Sequence, residues 1–216
     1  MLSRFDRRVI PESVLDLLRA CRERFPCELG GGAALSGAYL AHRTTGDADV
    51  YLDDAETMRA LVRALPEIAR AVGGSASVLR DVGYLVRARF DSHATGIELD
   101  VVHDQVPDIA ESSVLEGVVV KSLEDLRANK LTCILSRSEP RDLVDLYFLD
   151  REGHPPELDL HLASQKDSGI DPGVLAWLLS QFPTQPLPKM LEPLSSEDLD
   201  EFREALAKRL RQAAVK

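Results

Sequence analysis

Between Cys27 and Asp54 the chain reads CELGGGAALSGAYLAHRTTGDADVYLDD, and this stretch holds residue types that phosphate and metal chemistry need. Gly30, Gly31 and Gly32 can turn the backbone where other residues cannot, and backbone amides there can meet an anion. His42 and Arg43 follow and could contact a phosphate, or end a helix in solvent, where positive charge is favoured. Asp47 and Asp49 then head an apolar run. On a strand they share a face, with Cα atoms about 6.5–7 Å apart, within reach of one Mg²⁺, a hard cation that takes oxygen ligands. Farther on, Asp100 lies inside GIELDVVH, where a carboxylate needs a partner or a metal. If that strand lies beside the one carrying Asp47 and Asp49, three carboxylates converge for metal-assisted nucleotidyl transfer. Singly, each feature has a plainer reading. Asp-x-Asp pairs are common at strand starts, and this glycine spacing is neither a P-loop nor a dinucleotide fingerprint.

A second cluster lies in SLEDLRANKLTCILSRSEPRDLVDLYFL, residues 122–149. Lys130 and Arg137 are seven residues apart, hence on one helix face. Arg141, Asp142 and Asp145 begin the next helix, with Arg141 and Asp145 at i, i+4. One reading is an ion-pair set tying two helices together, Arg137 or Arg141 with Asp142 or Asp145. The other has Lys130 neutralise a triphosphate as a compact cation, with the Arg/Asp groups orienting it.

The elements that must position these residues follow from periodicity and breakers. Residues 11–25 predict an amphipathic helix ended by Pro26, and 33–42 a short helix directly after the glycines. Residues 47–52 predict a strand and 54–72 a helix, with an apolar stripe from Met58 to Val72 and a Gly73–Gly74 stop. Strands are expected at 76–80, 84–90, 96–103 and 118–120, with 104–117 a loop. Beyond 120 only helices are expected: 123–137 behind a Ser122/Asp125 cap, 141–150, 157–167, 171–181 and 195–213. The fold class is α+β: a sheet domain at 1–120 and a helical region at 121–216.

Composition bounds the function. The formal net charge of −10 argues against a broad phosphate-binding surface but leaves room for a local basic patch or a small anionic substrate neutralised by metal. No window offers eighteen uncharged apolar residues, so no membrane span or membrane partner is expected. The N-terminus lacks the apolar core of a secretory signal. Three cysteines without CxxC spacing suit reduced thiols, and a cytoplasmic location is expected. His154 and His161 are expected at the surface and Trp177 in the core.

GGAAL (Gly31–Leu35), HRTTGDADVYL (His42–Leu52), IELDVV (Ile97–Val102), A-x-K-L (Ala128–Leu131), Arg137 and RDLVDL (Arg141–Leu146) resemble, in this order, the AbiEii-type nucleotidyltransferases. These are toxins of type IV abortive-infection toxin–antitoxin pairs with a DNA polymerase β-like nucleotidyltransferase fold. The resemblance spans roughly residues 25–150. It implies an NTP substrate, Mg²⁺, nucleotidyl transfer to an acceptor such as a tRNA 3′ end, and a cognate antitoxin. Carried over by position, Asp47, Asp49 and Asp100 are metal ligands and catalytic carboxylates. Lys130 contacts the triphosphate, Asp142 or Asp145 is the downstream catalytic aspartate, and Gly31, Gly32, Arg43 and Arg141 join Lys130 in binding the nucleotide. One departure stands out: the family usually has Ser or Thr after the paired glycines, and this chain has Ala33. It motivates an alternative, a catalytically impaired module that binds nucleotide or a partner. A small-molecule adenylyltransferase of the aminoglycoside type is a third reading, since an acidic protein suits a cationic acceptor.

Overall fold

The structure, a computed structural model, describes residues 2–93 and 95–215. They divide into two compact units, one of the described residues up to 107 and of 111–122, the other of 108–110 and 123–215.

The first unit contains α1 (Glu12–Arg24), β1 (Glu28–Gly30), α2 (Gly31–Ala34), β2 (Asp47–Leu52), α3 (Ala55–Ala71), β3 (Gly74–Asp81), β4 (Leu85–Ser92), β5 (Gly96–His103), β6 (Ser113–Leu115) and β7 (Val118–Val120). The strands form one seven-stranded mixed sheet in the order β3-β4-β5-β2-β1-β7-β6. β2 runs parallel to β5, and β1 parallel to β7; the other pairs are antiparallel. Period-two alternation decides the faces. Ala48, Val50 and Leu52, Val86, Ala88 and Phe90, and Ile97, Leu99 and Val101 are all buried. α3 covers this side, contacting β2, β3 and β5, with Met58, Leu61, Leu65, Ile68 and Ala69 buried. Asp54 caps it by accepting the Thr57 amide at 2.6 Å. The opposite face keeps the polar members of the same strands, among them Asp47, Asp49 and Asp100.

Two features had no clear signal. The segment expected as a loop at 104–117 ends in β6, which pairs with β7 across a turn at Glu116 and Gly117. Both have positive φ, 47° and 85°, the two-residue hairpin geometry usually signalled by Asn-Gly. Glu116 is held there by its own contacts: its carboxylate accepts the Phe5 amide and an Arg7 N–H, each at 2.7 Å, and its carbonyl accepts from Arg19 at 2.8 Å. The helix expected at 33–42 begins earlier, at Gly31, and from Leu35 to Leu40 winds as a π-helix that Ala41 ends in the left-handed region. An N-terminal arm straps this wide turn. Leu2 and Asp6 donate to the carbonyls of Ala38 and Gly37 at 2.8 and 2.9 Å, while Phe5, Val9 and Ile10 are buried. Gly37 permits the close approach, since a Cβ there would lie 2.7 Å from Ile10 Cδ1.

The second unit contains α4 (Leu123–Ser136), α5 (Pro140–Arg151), a 3-10 turn at Pro156–Leu158, α6 (Leu160–Lys166), α7 (Pro172–Leu179) and α8 (Ser196–Ala213). α4 packs on α5 and α6, and α7 on α8. A reciprocal Ser195–Asp198 capping box opens α8. Asp125, at the expected cap of α4, also accepts the Ile109 and Ala110 amides at 2.9 and 3.2 Å and pairs with Lys166 at 2.6 Å. That is why the 108–110 segment belongs to the helical unit. Two expectations are corrected. Trp177 is 63% exposed, because α7 buries Leu175, Ala176 and Leu179 and turns the indole outward. His154 joins a half-buried cluster, with Nδ1 2.8 Å from Arg127, which also donates to Asp159 at 2.8 Å. His161 is exposed as expected.

No described helix is long and apolar enough to cross a membrane. The three cysteines are free thiols. Burial pushes Cys21 up to about 12 and Cys27 up to about 11, so neither supplies thiolate near neutrality.

Candidate active site

Asp47 and Asp49 project from β2 on the face opposite Ala48, Val50 and Leu52, as their spacing requires. Pairing sets their neighbours. On the β5 side Asp47 lies beside Glu98 and Asp49 beside Asp100; on the β1 side Asp49 lies beside Gly30. Adjacent strands lie about 4.8 Å apart, so Asp49 and Asp100 are lateral neighbours on one face. The expected adjacency of the two strands is therefore present.

Each glycine of the triplet is fixed by a close approach. At Gly30 a Cβ would run into the Tyr51 ring, and at Gly31, where φ is +60°, into the Asp49 carboxylate. At Gly32 it would lie 2.7 Å from Arg43 Nη2. Thus Gly31 and Gly32 make room for Asp49 and Arg43, two of the groups expected to handle metal and nucleotide. Arg43 and His42 do not form a solvated helix end: they are 2% and 0% exposed. The hydroxyl of Ser36 donates to the Arg43 carbonyl at 2.6 Å and accepts its amide at 3.2 Å, and Arg43 Nη1 donates to the Thr44 carbonyl at 3.1 Å. Ala33 is fully buried and brings no hydroxyl.

Asp100 has a partner that no local pattern assigns. Arg87, opposite it on β4, donates Nε to Oδ1 and Nη2 to Oδ2, both at 2.7 Å. Its Nη1 lies 3.3 Å from Glu98 Oε2. Hydrogen bonding to Asp100 holds the Arg87 guanidinium well above its ordinary range, outweighing partial burial. The alternation of Arg87 and Arg89 with buried residues placed both on this face, but nothing local chose between them. Arg89 pairs with Asp91 on its own strand at 2.9 Å.

Do these residues fit a divalent metal? Among the described residues no three His, Cys, Asp or Glu side chains are already grouped to hold one. Asp100 shares the face with Asp47 and Asp49, with Arg87 bonded to both its oxygens. Asp47 and Asp49, which are engaged by other groups of the fold, remain a suitable pair. Mg²⁺ is commonly held by one or two carboxylates, completed by water and substrate phosphate. Thr45 Oγ1, two residues before Asp47, is buried without a hydrogen-bond partner among the described residues, a polar atom that a ligand shell could satisfy.

In the helical unit, Lys130, Asp142 and Asp145 are brought together, with Lys130 4% and both aspartates 0% exposed. Lys130 Nζ lies 3.1 Å from Asp142 and 2.6 Å from Asp145. Arg137 grips Asp142 through two bonds of 2.7 and 2.9 Å. Burial pushes the Asp142 carboxyl up, but Lys130 and Arg137 outweigh it and hold it below the ordinary carboxylate value. Hydrogen bonding to Asp142 raises Arg137 in turn. Arg141 pairs with Glu139. The helix-tying ion-pair reading therefore describes Arg137 and Asp142, with Lys130 at the centre.

The sequence model of the family described as "Nucleotidyl transferase AbiEii toxin, Type IV TA system" matches residues 17–216. No curated protein matches the sequence at a significant level. Among solved structures, the chain is similar to JHP933 from Helicobacter pylori, with 19% identity over 96% of this chain and 95% of that one and a TM-score of 0.60. It is also similar to MenT4, the nucleotidyltransferase toxin Rv2826c of Mycobacterium tuberculosis H37Rv, with 17% identity over 94% and 87% and a TM-score of 0.63. At those identities the likeness is one of fold.

Proposed function

Because the chain belongs to the AbiEii nucleotidyltransferase toxin family of type IV toxin–antitoxin systems, we propose that it moves a nucleotidyl group from an NTP to an acceptor hydroxyl. A tRNA 3′ end is the acceptor to try first, and a cognate antitoxin the expected genetic partner. The observation that carries this reading is the row of Asp49 and Asp100 on one sheet face, with Asp47 one step along and Gly31 opening space beside Asp49.

In the proposed reaction the acceptor oxygen bonds to the α-phosphorus, the α–β bridging bond breaks, and pyrophosphate leaves. Asp47 and Asp49 would hold Mg²⁺, which when bound supplies charge neutralisation at the triphosphate. Arg43, beside Gly32, is a fixed positive charge at the glycine turn. A sheet carboxylate accepts the proton of the attacking hydroxyl.

The test uses each of four NTPs labelled at the α-phosphate, Mg²⁺, and separate tRNA and protein acceptor pools. Label should appear in one pool and vanish with Asp47→Asn. No transfer with any nucleotide and either pool would defeat the proposal. A second reading, nucleotide binding without turnover, is favoured by buried Ala33 and by Lys130 being enclosed in ion pairs. Calorimetry separates the two, since tight NTP binding without transfer supports the second.

A further inference from the structure

We propose that Arg87 is a latch on the carboxylate face: it holds Asp100 away from metal ligation in the free protein, and a triphosphate draws it off. This rests on the nucleotidyltransferase reading and adds a positioning residue to it.

Register supplies the geometry. Across β4, β5 and β2 one row reads Arg87, Asp100, Asp49. The Arg87 fork occupies both Asp100 oxygens at 2.7 Å, and its remaining nitrogen reaches Glu98 at 3.3 Å. A carboxylate engaged this way is a poor ligand for a hard cation, and the guanidinium charge beside it repels one. This accounts for three carboxylates sharing a face without forming a ready metal group among the described residues.

Exposure makes the latch movable. The Asp100 side chain is 6% exposed, whereas that of Arg87 is 41% exposed, so the arginine can swing without disturbing the core. A phosphate offers the fork the same bidentate geometry as a carboxylate, with more charge. When a triphosphate takes Arg87, Asp100 is left buried without its counter-ion and gains by ligating metal. Nucleotide and divalent cation then tighten each other's binding, as linkage requires.

The test is Mn²⁺ binding by calorimetry without nucleotide, so turnover is not the readout. Arg87→Gln should bind Mn²⁺ at least about tenfold more tightly than wild type, since a ligand is released and a repelling charge removed. Asp100→Asn should not tighten Mn²⁺ binding, and in that background Arg87→Gln should lose most of its gain. A non-reactive NTP analogue should tighten Mn²⁺ binding more in wild type than in Arg87→Gln.

Should Arg87→Gln not fold, Arg87→Lys serves, because an ammonium cannot hold both oxygens; tightening is again expected. If Asp47→Asn abolishes Mn²⁺ binding but neither Arg87 variant tightens it, the latch is wrong and the metal site stands. A gain that persists in the double variant also overturns the latch, showing a charge effect alone. If wild type binds no Mn²⁺ even with the analogue, the metal-dependent reading falls as well.

Discussion

At Gly31 an added methyl group would overlap the Asp49 carboxylate on a backbone already at φ +60°. Gly31→Ala should cost about 1–2 kcal/mol for the left-handed backbone alone and displace Asp49, seen as a lower melting temperature with lost transfer. Asp47→Asn should instead keep the melting temperature and lower transfer more than about a hundredfold, the upper range for losing even an outer-shell metal partner. Lys130 gives a different signature. Lys130→Ala removes the ammonium that buried Asp142 and Asp145 share, leaving Asp142 to Arg137 alone, so about 3–5 kcal/mol of destabilisation is expected in a denaturant titration. A stable Lys130→Ala protein lacking only activity would contradict the structural role described for that network. Gly31, Asp47 and Asp49 were legible because residue type alone restricts them. Arg87 was not: choosing between it and Arg89 needs the β4–β5 register, which lies in no local pattern.

Among elements, the π-helix after the glycines depends on the arm beneath it. Gly37→Ala pushes a Cβ toward Ile10, so about 1–3 kcal/mol of overpacking is expected, with faster hydrogen exchange at the Leu2 and Asp6 amides. Glu116 tethers the same arm. Hydrogen bonds from Arg7 and the Phe5 amide hold its carboxyl down at about 2, against an ordinary 4.5. A depressed acid stabilises above its unfolded value and loses that contribution as pH falls through its folded value. Protection of the Leu2 and Asp6 amides, relative to their intrinsic exchange at each pH, should therefore fall between about pH 4.5 and 2, and Glu116→Gln should already show it at neutral pH. The strands and α3 were legible from period-two and helical patterning. β6 and the π-turn were not, because a Glu-Gly hairpin lacks the usual turn signature and π-winding here reflects the arm and Gly37 rather than any run of residues.

Over the whole chain, recognisable motifs end near residue 150 while the family match continues to 216. The last helices are specified by packing, and α7 illustrates the cost to sequence reading: PGVLAWLL is apolar all round, so Trp177 could be assigned to either side. The N-terminal tether has a different kind of consequence, one of timing. Phe5 and Glu116 are 111 residues apart. β1 lies between β2 and β7 in the sheet, and β7 ends at Val120. On a ribosome adding about 5–20 residues per second, the arm waits roughly 6–22 s before the hairpin that secures it is made. The strands carrying Asp47, Asp49 and Asp100 are therefore synthesised before the hairpin that tethers the arm.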